Sequence, residues 1–155
     1  MVSVVKVIVP AIIGALIGTV LGLVPFLNWI CCLPVVLGGF VSGALLGVMA
    51  GNEKLQTTDG FIAGGLAGFL QALLIVTVLV LVSLGFGGLY LGMGALFAAV
   101  SRTLEPLLIF GGMGLLGTIL MLAISFMAAV IYCALYSVMA GIGGTIAGAL
   151  MYKKG

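Results

Sequence analysis

Leu33–Gly51 reads LPVVLGGFVSGALLGVMAG. Its 19 residues carry no charge, close to the roughly 20 apolar residues that one helical crossing of a bilayer requires. Gly39, Gly43, Gly47 and Gly51 recur every four residues, and residues four apart share one face of a helix. Barrel strands alternate apolar with polar side chains. This stretch is apolar on both alternations, so it reads as a buried or membrane helix with one glycine face.

The rest of the chain repeats that character. Of its 155 residues, 65% are hydrophobic and 5% are charged, against about 25% charged in soluble domains. The charges are Lys6, Glu53, Lys54, Asp59, Arg102, Glu105, Lys153 and Lys154. So few cannot cover a soluble globule, whose surface would become one apolar patch. Disorder is excluded because disordered chains are poor in apolar residues. Nucleic-acid binding is excluded because a net charge of +2 supplies no basic stripe. An all-α integral membrane protein remains.

Charge-free runs place the spans at residues 7–24, 33–51, 60–84 and 129–152, within a single membrane domain covering 1–155. The final run, Leu107–Tyr152, is 46 residues long, roughly 69 Å as one helix and about twice a bilayer core. It is therefore expected to hold one span, with 85–127 as a re-entrant or interfacial segment between the third and fourth helices. Gly85, Gly87 and Gly88 mark the expected break. The first run is long for a signal peptide and no A-x-A site follows it, so it reads as an uncleaved anchor.

Four crossings put Lys6, Lys54, Lys153 and Lys154 on one side and only Arg102 on the other. The positive-inside rule then places both termini in the cytoplasm, with the protein in the cell membrane. Trp29 and Tyr152 fall where interfacial aromatic belts lie.

Every span carries a glycine ladder: Gly14, Gly18 and Gly22; Gly39, Gly43 and Gly47; Gly60, Gly64 and Gly68; Gly144 and Gly148. Small residues let backbones approach closely, which matters because lipid provides no hydrophobic drive for helix association. The spans are expected to pair as two glycine-zipper hairpins, related as parallel repeats.

Pro10–Asn28 (PAIIGALIGTVLGLVPFLN), Leu37–Gly51 (LGGFVSGALLGVMAG), Thr57–Leu74 (TTDGFIAGGLAGFLQALL) and Ala140–Lys154 (AGIGGTIAGALMYKK) together resemble a family of small archaeal and bacterial four-helix, glycine-rich membrane proteins. That family is known only as a domain of unknown function. The Gly38-Gly39-Phe40-x-x-Gly43 stretch and the Asp59-Gly60 helix start carry most of the resemblance. It implies a four-helix topology and brings no activity.

Residues suited to chemistry are scarce. There is no His, which removes the commonest general base and metal ligand. No carboxylate falls inside an expected span, which argues against an ion-coupled carrier or rotor. No cofactor and no catalytic residue is expected. Arg102 and Glu105 read as a surface pair at a helix end, and Asp59 as a helix N-cap. Gln71 is an amide well inside a span, suited to an interhelical hydrogen bond or to a pore contact. Thr19, Ser42, Thr77, Ser83, Thr118, Ser125 and Thr145 can bond back to their own helices. Cys31, Cys32 and Cys133 are expected near one membrane level, as apolar thiols, as a disulfide with Cys133, or as a soft-metal thiolate cluster.

The expectation is thus a non-enzymatic membrane protein that packs through glycine faces. Its partners would be lipid and either further copies of itself or other membrane subunits. A neutral pore or carrier for water, gas or a small uncharged solute is the alternative. The segment 85–127 is expected to hold what is functionally distinctive, with the glycine hairpins as scaffold.

Overall fold

The computed structural model describes residues 4–24, 32–51 and 55–152. They form four helices: α1 (Val4–Gly22), α2 (Leu33–Ala50), α3 (Thr57–Ser101) and α4 (Glu105–Met151). All four are long and apolar enough to cross a membrane. Pro34 lies in the first turn of α2, where a missing N–H costs nothing. Pro10 lies inside α1 and is fully buried against its neighbours.

The start of α3 is capped differently from the expectation. Asp59 stands in the first turn, one position short of Gly60, and reaches back to accept the Gln56 N–H at 2.9 Å. That is the acidic half of a capping box rather than an N-cap side chain.

The helix ends expected at 84 and 129 are not found. The α3 helix continues to Ser101 and α4 begins at Glu105, so 85–127 is two helices joined by one turn. In water each glycine in a helix costs about 1 kcal/mol relative to alanine. In apolar surroundings the backbone has no alternative hydrogen-bond partner, and three glycines among Leu, Val and Phe do not break the ladder. The turn forms where polar residues allow it. Arg102 takes a left-handed conformation, φ 56°, and the Ser101 hydroxyl donates to the Phe97 carbonyl at 2.7 Å. Glu105 opens α4 with a negative charge at its N-terminus. Arg102 and Glu105 thus belong to the cap and the start of adjoining helices.

The chain folds as two compact units, Met1–Ile75 with Ile131–Gly155, and Val76–Val130. The core of the first is made of small residues: Ala11, Ala15, Ala63, Ala67, Ala72, Ala140 and Ala147 are buried, with Leu46 the largest fully buried side chain. Large apolar side chains face outward, among them Leu16, Val20, Val48, Ile62 and Leu150. Small residues inside and bulky apolar ones outside suit a lipid solvent and would be insoluble in water.

In the second unit α3 and α4 meet along one seam. Ser83, Gly87 and Gly94 are buried on one helix, Gly114 and Ser125 on the other. Phe97 and Phe110 stack near the turn, with ring centroids 5.5 Å apart. Outside the seam, Leu89, Leu96, Leu108, Leu116, Leu120 and Phe126 are exposed.

Candidate functional site

The glycine ladders form backbone contacts between helices, and the space a methyl group would need at each glycine measures them. On α1, a Cβ at Gly14 would lie 2.5 Å from the Gly38 carbonyl oxygen and 2.8 Å from Ser42 Cβ. At Gly18 it would lie 3.0 Å from the Pro34 carbonyl oxygen. These residues join α1 to α2. On α2, Gly39 abuts the Ala140 backbone, and a Cβ at Gly43 would lie 2.8 Å from the Gly144 carbonyl oxygen. On α3, Gly60 faces Gly144, Gly64 faces Ala140 and Gly144, and Gly68 faces Tyr136 and Ala140. Gly144 is therefore shared by α2, α3 and α4.

Gly47 and Gly148 do something else. Both face the Tyr152 ring, at 3.0 Å and 2.9 Å from where a Cβ would stand. The ring fills the space they leave, and its hydroxyl donates to the Gly43 carbonyl at 2.9 Å. Tyr152, expected as an interfacial anchor, is a wedge between α2 and α4. Burial, with the negative charge of Asp59 adding to it, pushes its hydroxyl pKa up to about 12. Gly22 contributes no contact: a Cβ there meets nothing within 4 Å.

Three packing positions escape a four-residue count. Gly38 faces Gly14, Gly143 faces the Val36 carbonyl and the Phe40 amide, and Gly141 faces the Phe61 ring. Each adjoins a ladder glycine or lies within three residues of one, so the Gly38-Gly39 and Gly143-Gly144 doublets were the signal. A doublet on a helix supplies two adjacent faces and can serve two neighbours.

Polar side chains bond both along and across the helices. Thr19, Ser83, Thr118 and Thr145 donate to the carbonyl four residues earlier, as expected. Ser42 departs from the expectation: its hydroxyl crosses to the Ala63 carbonyl of α3 at 3.0 Å. Helix approach there is close enough for a side chain of one hydroxymethyl group to span it. Gln71 is 2% exposed, and its Oε1 stands 2.5 Å from where a Gly18 Cβ would be and 3.5 Å from that of Gly38. One amide thus touches α1 and α2 from α3.

Cys32 and Cys133 carry free thiols, and Cys31 lies outside the described residues. Among the described residues no group of three His, Cys, Asp or Glu side chains is placed to hold a metal. Trp29, Glu53, Lys54, Lys153 and Lys154 also lie outside the described residues.

The second unit uses its glycines unevenly. Gly87 abuts the Thr118 side chain, Gly94 faces Phe110 and Gly114 faces Tyr90. By contrast, a Cβ on Gly85, Gly88, Gly92, Gly112 or Gly117 would meet nothing within 4 Å. Comparison with known proteins finds no match for this chain among protein families, curated proteins or solved structures.

Proposed function

We propose that this chain is a non-enzymatic polytopic protein of the cell membrane, with both termini cytoplasmic. It assembles through glycine faces, as a homo-oligomer or as a subunit of a larger membrane complex. One observation carries the reading. Most ladder glycines of the first unit are occupied by backbone or side chains of the same chain, whereas Gly85, Gly88 and Gly92 of α3 face open space. At 3.6 residues per turn these three fall within about 60° of one another. They sit among exposed large apolar side chains, including Leu84, Leu89 and Leu96. A glycine in a helix loses backbone entropy that close approach of another helix offsets. Among the described residues, no atom stands within 4 Å of where those side chains would begin.

Gln71 supports packing over a neutral pore. Its near-complete burial against two glycines fits an interhelical contact, whereas a pore residue needs access to a passing solute. The test is cysteine crosslinking in native membranes, in a cysteine-free background. Gly88→Cys and Gly92→Cys should form crosslinked species under oxidation, and Gly143→Cys should not. Absence of any crosslinked product from the first two, with the protein intact, would remove the homo-oligomer and leave only assembly with a different subunit. Solute flux through liposomes containing the purified chain would restore the pore.

A further inference from the structure

A groove runs along one side of the seam in Val76–Val130, from Leu79 to Tyr90 on α3 and from Met113 to Ser125 on α4. We propose that it holds the hydrocarbon chain of a membrane lipid, with an oxygen of that lipid's glycerol linkage accepting from the Ser125 hydroxyl. The proposal does not depend on the assembly reading: Gly85, Gly88 and Gly92 lie on the far side of α3 from this groove in helical projection.

Size and shape come first. The cavity is about 370 Å³, within the roughly 300–1,000 Å³ that ligand pockets occupy. Eleven steps along α3 make it roughly 16 Å long at 1.5 Å per residue, so it is narrow and suits a chain better than a compact ring. Phe86, Met113 and Met121 form apolar walls. Methionine adapts its shape to an irregular hydrocarbon surface. The gap itself comes from Gly117, which lines the groove and whose absent side chain leaves open space.

Chemistry then narrows the occupant. No charged residue lines the groove, so it offers nothing to an ionic ligand. Four hydroxyl-bearing residues line it: Ser83, Tyr90, Thr118 and Ser125. The hydroxyls of Ser83 and Thr118 donate to Leu79 and Gly114 of their own helices. Ser125 is 8% exposed and, among the described residues, has no such partner. Its oxygen opens onto the groove, since among the described residues no fully buried side-chain polar atom lacks a partner, and a hydroxyl in apolar surroundings is normally bonded. A water molecule needs two to four polar partners, and the Ser83 and Thr118 hydroxyls already donate to their own helices. A void would forfeit the dispersion contacts of its lining. An apolar chain bearing one acceptor oxygen meets all three requirements.

The experiment uses phosphatidylcholine with a diazirine in one acyl chain, doped into dioleoyl phosphatidylcholine vesicles containing the full chain. After illumination, adducts should concentrate on Phe86, Met113 and Met121 over Leu89 and Leu96, which lie outside the groove and are exposed to a similar extent, and should saturate with probe concentration. Gly117→Phe fills the groove from a position with free space, so it should lose those adducts while labelling at Leu96 and the melting temperature stay unchanged. Gly117→Leu serves if the phenylalanine variant fails to fold. Ser125→Ala should weaken saturable labelling about threefold, the worth of a modest hydrogen bond inside a membrane. Equal, non-saturating labelling at Leu96 and Met113 would overturn the proposal. So would adducts at Met113 that survive both Gly117 variants. Crosslinks from the groove to a second copy would also overturn it, while leaving the assembly reading intact.

Discussion

Replacing Gly144 by alanine adds one methyl group where α2, α3 and α4 share a contact. That methyl would lie 2.9 Å from the Gly60 carbonyl carbon and 3.1 Å from Gly64 Cα, with the Gly60 carbonyl oxygen nearer still. All are backbone atoms, so no rotamer change relieves the clash and a whole helix must shift. Overpacking of this kind costs about 1–3 kcal/mol. Alanine returns about 1 kcal/mol of helix propensity, leaving a net loss of about 0–2 kcal/mol. Gly112→Ala isolates the propensity gain, because its methyl meets nothing within 4 Å; it should stabilise by about 0.5–1 kcal/mol. The two variants should therefore separate by about 1–3 kcal/mol. At about 2–4 °C per kcal/mol for a chain of this size, thermal unfolding followed by circular dichroism in mild detergent resolves the difference. The order matters more than the sizes. If Gly144→Ala melts as high as Gly112→Ala, helices do not touch at Gly144 and the packing argument fails.

Two further outcomes follow from the same contacts. The Tyr152 hydroxyl holds its proton to about pH 12 in the folded chain, against about 10 when unfolded. The unfolded chain therefore binds fewer protons between those values, so stability is complete below pH 10 and falls as pH rises toward 12. Tyr152→Phe should remove that alkaline loss and, by deleting the bond to Gly43, lower stability at neutral pH by about 0.5–1.5 kcal/mol; an unchanged pH profile would place the hydroxyl outside the α2–α4 contact.

Much of the fold was legible because charge alone delimits it. The run from Leu33 to Gly51 became α2 to within one residue, and the run 7–24 became α1, which starts three residues earlier and ends two residues sooner. The ladders were legible because a four-residue period and a helix face are the same statement. Helix ends in the second half were not. Gly85, Gly87 and Gly88 signal a break by their behaviour in water, and that signal loses its force where no water competes for the backbone. The partition into two units was hidden for a different reason: it depends on which stretches of α3 and α4 meet α1 and α2, a long-range fact. The Ser42–Ala63 bond was likewise unreadable, since a serine that bonds its own helix and one that crosses to a neighbour look alike in sequence. The open glycines at 85, 88 and 92 could be told from the packed ones at 60, 64 and 68 only once neighbours were placed.

The account turns on whether those open glycines meet another chain. Native mass spectrometry of the full chain, released from mild detergent at low collision energy, measures this directly. The account predicts an assembled mass, either an integer multiple of the chain or the chain with another membrane subunit, which Gly88→Phe reduces to the single chain without loss of helical signal. A wild-type chain that flies alone, at concentrations where it remains folded, would contradict it.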